Sequence, residues 1–90
     1  MLTRYDNILI GRLIVICTDP NRSLLERFTE AYEVIDTASL EFCLELHAAL
    51  RKERGAYTLR GRLRKFHFWN LETLASALDL RMAAIAQEGM

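Results

Sequence analysis

The 90-residue chain has few residues that interrupt helices and strands or that can form disulfides: one proline, four glycines and two cysteines. Its longest apolar run, Leu13–Cys17, is far shorter than the roughly 20 residues of a membrane-spanning helix. The amino terminus also lacks the basic, apolar and small-residue order of a signal peptide. We therefore expect one compact domain over residues 1–90, cytoplasmic and without a membrane span, whose cysteines are reduced core thiols.

Motifs of catalysis are absent as well: the sequence has no serine-nucleophile motif, no metalloprotease helix and no glycine-rich phosphate loop. Cys43 and His47, four residues apart on one helix face, are compatible with half of a metal site or a thiolate with its base. No second pair of ligands accompanies them, which favours a packing role. Asp19, Glu33 and Asp36 could meet at strand ends, where α/β folds gather ligands, but acidic residues in turns are common. We expect no enzyme, no metal and no cofactor.

Charged residues are numerous, but the two signs cancel. The net charge is zero, but residues 1–50 hold four basic and eight acidic side chains, residues 51–69 seven and one, and residues 70–90 one and three. Such segregation predicts surface patches of opposite sign, which affect partners and association more than they affect the fold.

The hydrophobic pattern predicts strands alternating with helices. Residues 8–17 are rich in isoleucine and leucine over a short span and predict a buried strand, which ends before Pro20. Asn21 or Ser23 can then cap a short helix, and Glu26, three residues after Ser23, completes a capping box. Residues 32–39 alternate and predict a second strand. Thr37 or Ser39 then caps a longer helix that ends near Gly55.

Residues 57–68 are ambiguous between strand and helix, because both periods fit. A strand, or a hairpin broken near Gly61, is favoured, and Asn70 then caps a last helix with a stripe of leucines. The order β-α-β-α-β-α predicts an α/β or α+β fold, with a small three- to four-stranded sheet packed with about three helices. The sheet is mixed if residues 57–68 form a hairpin.

Two segments, "RLIVICTDPNRSLLERF" and "YEVIDTASLEFCLELHAAL", resemble the opening βαβα portion of a response-regulator receiver domain. The resemblance covers less than half of the chain and implies a degenerate signalling module. Of the acidic pair, phosphoacceptor aspartate and later lysine typical of that family, only Asp19 lies near a matching position. The resemblance therefore implies no phosphorylation chemistry.

The basic and aromatic block from residue 51 to 69 is the candidate site. In a strand, alternate side chains share a face, so three arginines would form an outward stripe. Arginine and aromatic residues are enriched at binding hot spots. We expect a non-catalytic regulatory or adaptor domain that binds an acidic protein partner, or pairs with a second copy, through Tyr57, Arg60, Arg62, Arg64, Lys65, His67 and Trp69.

Nucleic acid is the alternative partner. Basic side chains neutralise phosphates, and Tyr57, Phe66, Phe68 and Trp69 could stack on unpaired bases. Residues 70–87 also have the rhythm of a helix-turn-helix with its turn at Asp79, although a continuous helix is favoured because the second half offers few polar side chains to bases. The zero net charge and a pI near 6.7 weigh against nucleic acid. The arginines could also be only the solvated side of a strand.

Overall fold

The fold is a bundle of four α-helices. The computed structural model describes residues 2–56 and 61–89, with the side chain of Leu63 left aside. Its helices are α1 (Arg4–Cys17), α2 (Leu24–Asp36), α3 (Leu40–Ala56) and α4 (Arg62–Glu88). No strand occurs in the described residues, so the predicted α/β fold with a sheet is wrong.

The segment predicted as the first strand lies in α1. Thr3 and Asp6 form a capping box, in which the Asp6 amide donates to Thr3 Oγ1 at 3.1 Å and the Thr3 amide donates to the Asp6 carboxylate at 3.0 Å. The apolar residues that follow recur at helical spacing, and four of the five buried ones share one face: Ile10, Leu13, Ile14 and Cys17. Their richness in isoleucine and leucine over a short span had suggested a strand, but burial on one helix face overrides that local signal.

α2 begins where the sequence predicts and continues much further. The capping box of Ser23 and Glu26 is confirmed. The helix runs to Asp36 and buries Phe28, Ala31 and Ile35 at spacings of three and four, so the predicted strand at residues 32–39 is wrong. With both early strands gone, the βαβα resemblance to a receiver domain is overturned.

α3 matches its prediction to within a residue or two. The Phe42 amide donates to Ser39 Oγ at 3.2 Å, so Ser39 rather than Thr37 caps the helix. The helix ends at Ala56, one residue after Gly55. Its buried residues are Phe42, Cys43, Leu46 and Leu50. The spacing in the sequence had predicted an apolar face made of Leu40, Cys43, Leu44, His47 and Leu50, and that face is wrong in part, because Leu40 and Leu44 are exposed.

α4 replaces the predicted third strand and the predicted final helix with one continuous helix of 27 residues. Residues 62–68 are its first two turns. Asn70 lies inside it rather than at a cap, and Asp79 marks no turn, so the helix-turn-helix variant is also wrong. Tyr57, Thr58, Leu59 and Arg60 lie outside the described residues.

Each helix runs antiparallel to the helix before it in the chain, and the apolar faces of the four helices meet in one core. At one end Arg81 Nε on α4 donates to the carbonyl of Ala38 at 3.0 Å, and at the other Arg27 Nε on α2 donates to Asn70 Oδ1 at 3.2 Å. The fully buried leucines at the centre come from α1, α3 and α4: Leu13, Leu46, Leu50, Leu71, Leu74 and Leu78. Burying each one stabilises the fold by about 2 kcal/mol. The bundle measures 44 × 23 × 22 Å, and α4 accounts for its length.

Across residues 2–56 and 61–89, no helix has both the length and the hydropathy that crossing a membrane requires.

Candidate binding surfaces

The helix separates the residues that a strand would have aligned. Successive side chains rotate by about 100° around an α-helix, so Arg62 and Arg64 point about 160° apart. The proposed stripe of Arg60, Arg62 and Arg64 on one strand face is therefore wrong in its geometry. Arg60 and Tyr57, which belonged to the same predicted surface, lie outside the described residues.

The remaining predicted residues divide between two faces of α4. Arg62, Lys65 and Trp69 fall within about 60° of one another around the helix, and all three are exposed. Arg64 lies on another face, where its guanidinium is 5.2 Å from the centre of the Phe68 ring. His67 is half-buried, with its ring edge-on to Phe66 at 5.8 Å.

Folding brings basic residues from three segments to one end of the bundle, because α2 and α4 begin there and α3 ends there. Residues 18–27, 51–56 and 61–66 hold eight basic and three acidic side chains, and we call them the basic end. The other described residues hold three basic and nine acidic side chains. The segregation seen in the sequence thus becomes a separation of charge along the molecule.

The first turn of α4 is electrostatically unfavourable. The positive end of a helix dipole stabilises acidic residues, but this turn holds Arg62, Arg64 and Lys65 and no acidic side chain. The residue that precedes it, Gly61, provides no side-chain cap and has a φ of 70°. The start of α4 therefore carries positive charge that no acidic side chain of its first turn neutralises.

Other cations of the basic end already have carboxylate partners. Arg22 Nε lies 3.3 Å from Asp19 Oδ2, and an Arg54 guanidinium nitrogen lies 2.7 Å from Glu72 Oε1. In the part of the chain that the structure describes, Arg51, Lys52, Arg62 and Lys65 form no ion pair, so an external anion can bind to them.

Arg27 links α2 to α4, and sequence reasoning missed it. Besides the bond from Nε to Asn70, its Nη1 donates to the carbonyl of Arg22 at 2.6 Å, and its guanidinium lies 4.9 Å from the centre of the Phe66 ring. Asn70 is fully buried, and its Nδ2 donates to the carbonyl of Phe66 at 2.8 Å. A buried asparagine within a leucine stripe was the available signal, but it was interpreted as a helix cap.

A groove of about 610 Å³ lies between the second half of α2 and the middle of α4. We call it the α2–α4 groove, and its main lining residues are Tyr32, Asp36, Thr73, Ser76, Leu80 and Ala84. Trp69 extends the apolar surface: its ring meets Phe28 edge-on at 6.2 Å, and Phe28 stacks on Tyr32 at 5.7 Å. Trp69 is 54% exposed, Tyr32 45% and Leu80 75%.

The two cysteines are free and buried in the core. Burial raises the pKa of Cys17 to about 12, against an ordinary value of 9.0, although the nearby Arg27 guanidinium acts in the opposite direction. Burial also raises the pKa of Cys43. His47 lies beside Asp79, with Nε2 4.0 Å from Oδ1. Thiols held in their neutral form are poor nucleophiles and poor metal ligands.

Within residues 2–56 and 61–89, no group of three or more histidine, cysteine, aspartate or glutamate side chains could hold a metal ion. No protein-family model matches the sequence, no curated protein gives a significant match, and no solved structure does so either. The fold and the two surfaces, the basic end and the α2–α4 groove, are therefore the basis for any functional assignment.

Proposed function

We propose that the protein is a non-catalytic binding domain that docks an acidic segment of a protein partner on its basic end. The observation that carries the proposal is the first turn of α4, where three cations occupy the positive end of the helix dipole with no acidic residue beside them. A local arrangement that costs stability is a frequent mark of a functional site. Carboxylates of a partner bound at this turn would offset that electrostatic cost.

The neighbouring segments support the same ligand chemistry. Arg51 and Lys52 on α3 carry unpaired positive charge at the same end of the bundle, and Arg64 engages only the face of Phe68 among the described residues. Arginine at an exposed surface offers several donors in a fixed plane, which suits paired carboxylates. Exposed aromatic surface at Trp69 adds apolar contact area beside the charges.

A protein partner is favoured over nucleic acid by how the charges are distributed. Asp19, Glu26 and Glu53 are interspersed among the cations of the basic end, and two arginines are already neutralised by carboxylates. Nucleic-acid surfaces instead present a basic stripe or groove that follows a phosphate backbone. The nine acidic side chains over the rest of the described chain would also repel a polyanion that extends past the basic end.

The test is a fluorescence-anisotropy titration of three labelled probes at low and at physiological salt: a glutamate-rich helical peptide, a single-stranded oligonucleotide and a duplex. The variant Arg51→Ala/Arg64→Ala removes two exposed charges from the basic end. We expect it to weaken peptide binding about tenfold, which is about 0.7 kcal/mol for each charge.

The matched control is Arg4→Ala/Arg12→Ala, which changes the net charge equally but lies on α1, where Arg12 pairs with Glu30 at 3.1 Å. It should leave peptide affinity within about twofold. If the wild-type protein binds neither peptide nor oligonucleotide, the proposal is wrong. Tighter and more salt-sensitive binding of an oligonucleotide, lost in the basic-end variant, would replace the protein partner with nucleic acid.

A further inference from the structure

One face of α4 changes character along its length. Arg62, Lys65, Trp69, Thr73, Ser76 and Leu80 fall within about 80° around the helix axis. The face therefore runs from basic side chains through an exposed aromatic ring and small polar residues to an exposed leucine. From Thr73 to Leu80 it lines the α2–α4 groove.

The opposite end of the groove carries an acidic residue. Asp36, the last residue of α2, lines the groove beside Leu80 and Ala84. Arg81 lines it too, but its Nε is bonded to the carbonyl of Ala38 and its Nη1 lies 4.0 Å from Glu88 Oε1, so its charge is partly offset. The α4 face and the groove beside it are thus basic before Trp69 and apolar in the middle, and Asp36 adds a carboxylate next to Leu80.

We propose that this face is a homodimer interface, in which a second copy of the chain lies antiparallel across the α2–α4 groove. In a twofold dimer each contact occurs twice, so residue i meets residue j and j meets i. With the axis near residues 74 and 75, Trp69 of one copy meets Leu80 of the other, and Lys65 meets Asp36. Both ends of the face are then matched by opposite charge and both exposed apolar side chains are covered.

The middle of the face allows close approach. Thr73, Ser76 and Ala77 are small, so two α4 helices can cross there without large side chains separating their backbones. A partner that was acidic throughout would be repelled at the Asp36 end of the groove. The order of charges along the groove therefore favours a second copy over the acidic segment proposed for the basic end.

The test is sedimentation velocity over a concentration series, with the full chain at low salt. The wild-type protein should form dimers. Leu80→Glu, at a side chain that is 75% exposed, should weaken the dimer at least tenfold because it places a charge against Trp69. Val15→Glu is the matched control: it puts the same charge on a 69% exposed residue of the outer face of α1 and should leave the dimer unchanged.

A charge swap tests the register. Lys65→Asp and Asp36→Lys should each weaken the dimer about fivefold to tenfold, and the double variant should recover wild-type affinity to within about twofold. Lys65→Asp puts a negative charge near the amino end of α4, and Asp36→Lys puts a positive charge at the carboxyl end of α2. The helix dipole favours both charges, so both variants should fold. Circular dichroism of each variant checks that they do.

Three results would overturn the inference: a monomer at every concentration, a dimer indifferent to Leu80→Glu, or a double swap no better than the single ones. The basic-end variant Arg51→Ala/Arg64→Ala should dimerise normally, because neither side chain lies on this face. Loss of peptide binding in that variant and loss of dimer in Leu80→Glu are therefore separate outcomes, and either proposal can fail without the other.

Discussion

At the scale of single residues, the contact between Arg27 and Asn70 is the most informative. Asn70 lies fully buried among leucines, and both ends of its amide are used, one by the Phe66 carbonyl and the other by Arg27. A buried polar group is tolerated only when its hydrogen bonds are made. The pair therefore fixes how α2 lies against α4, and so how Tyr32 and Trp69 are placed around the Phe28 ring that both contact.

We expect Asn70→Leu to lower the free energy of unfolding by about 2 kcal/mol, because it leaves the Arg27 guanidinium without its acceptor. Adding Arg27→Met should cost less than the two single changes together, with a coupling of about 1 kcal/mol. Urea unfolding of the four proteins in the cycle measures this. Arg12→Met combined with Asn70→Leu is the control pair and should be additive, since Arg12 contacts Glu30 instead.

The buried thiol of Cys17 predicts a pH dependence. Its pKa is about 12 in the folded protein and 9.0 as an ordinary value, because burial disfavours the thiolate. Between those values the unfolded chain loses the proton and the folded protein keeps it, so stability is full below pH 9 and falls above it. The slope from this one group approaches 1.4 kcal/mol for each pH unit.

Comparing the wild-type protein with Cys17→Ala by urea unfolding between pH 8 and pH 11 isolates that effect from tyrosine and lysine titration. The variant should start less stable and lose less stability as the pH rises. Parallel pH profiles for the two proteins would show that Cys17 ionises as easily in the fold as in the unfolded chain.

At the scale of helices, α1 is where sequence and structure differ most. A glycine in mid-helix costs about 0.5–1 kcal/mol relative to alanine, and Gly11 is exposed with no atom within 4 Å of an added Cβ. Gly11→Ala should therefore stabilise the protein by about that amount.

Gly61→Ala provides the opposite case on α4. Its φ of 70° lies in a region that side chains other than glycine rarely adopt, so alanine there should destabilise the protein by about 1 kcal/mol. Thermal unfolding of both variants measures the two signs. A gain at Gly61 or a loss at Gly11 would contradict the helix boundaries.

Two of the predicted helix caps are confirmed and one is wrong. Ser23 with Glu26 caps α2, and Ser39, one of two candidates, caps α3, because hydrogen bonds between neighbours in sequence depend little on the rest of the fold. Asn70 lies inside α4 instead. The capping box of Thr3 and Asp6 carried the same signal for α1, but residues 8–17 were interpreted as a strand because they are rich in isoleucine and leucine over a short span. Residues 8–17 and 32–39 are short apolar stretches whose period fits both helix and strand, and only packing against the other helices decides between them.

For the candidate site, too, the local features could be predicted and those that depend on packing could not. That residues 51–69 concentrate positive charge was visible in the composition, and the structure places the described part of that charge at one end of the bundle. Which side chains share a face depended on the strand or helix assignment, so the arginine stripe was lost with the strand. The α2–α4 groove could not be predicted, because its lining residues Tyr32 and Leu80 lie 48 positions apart in the sequence and come together only through the packing of two helices.

At the scale of the whole molecule, the two proposed surfaces use one property, the separation of charge along the bundle. Most of the unpaired cations lie at one end of the described structure, and the acidic majority covers the remainder. An extended α4 carries both signs on one continuous element, with Lys65 and Leu80 four turns apart. The basic end can thus select a partner while the groove selects a second copy.

The same separation governs how the protein behaves in bulk solution. Near its pI of about 6.7 the chain has no net charge to keep molecules apart, but each one still presents a positive end and a negative flank. Dilute buffers leave those opposite charges unscreened, so molecules attract one another end to side. Added salt therefore raises the solubility of this protein before it lowers it, and purification at low ionic strength near neutral pH favours precipitation.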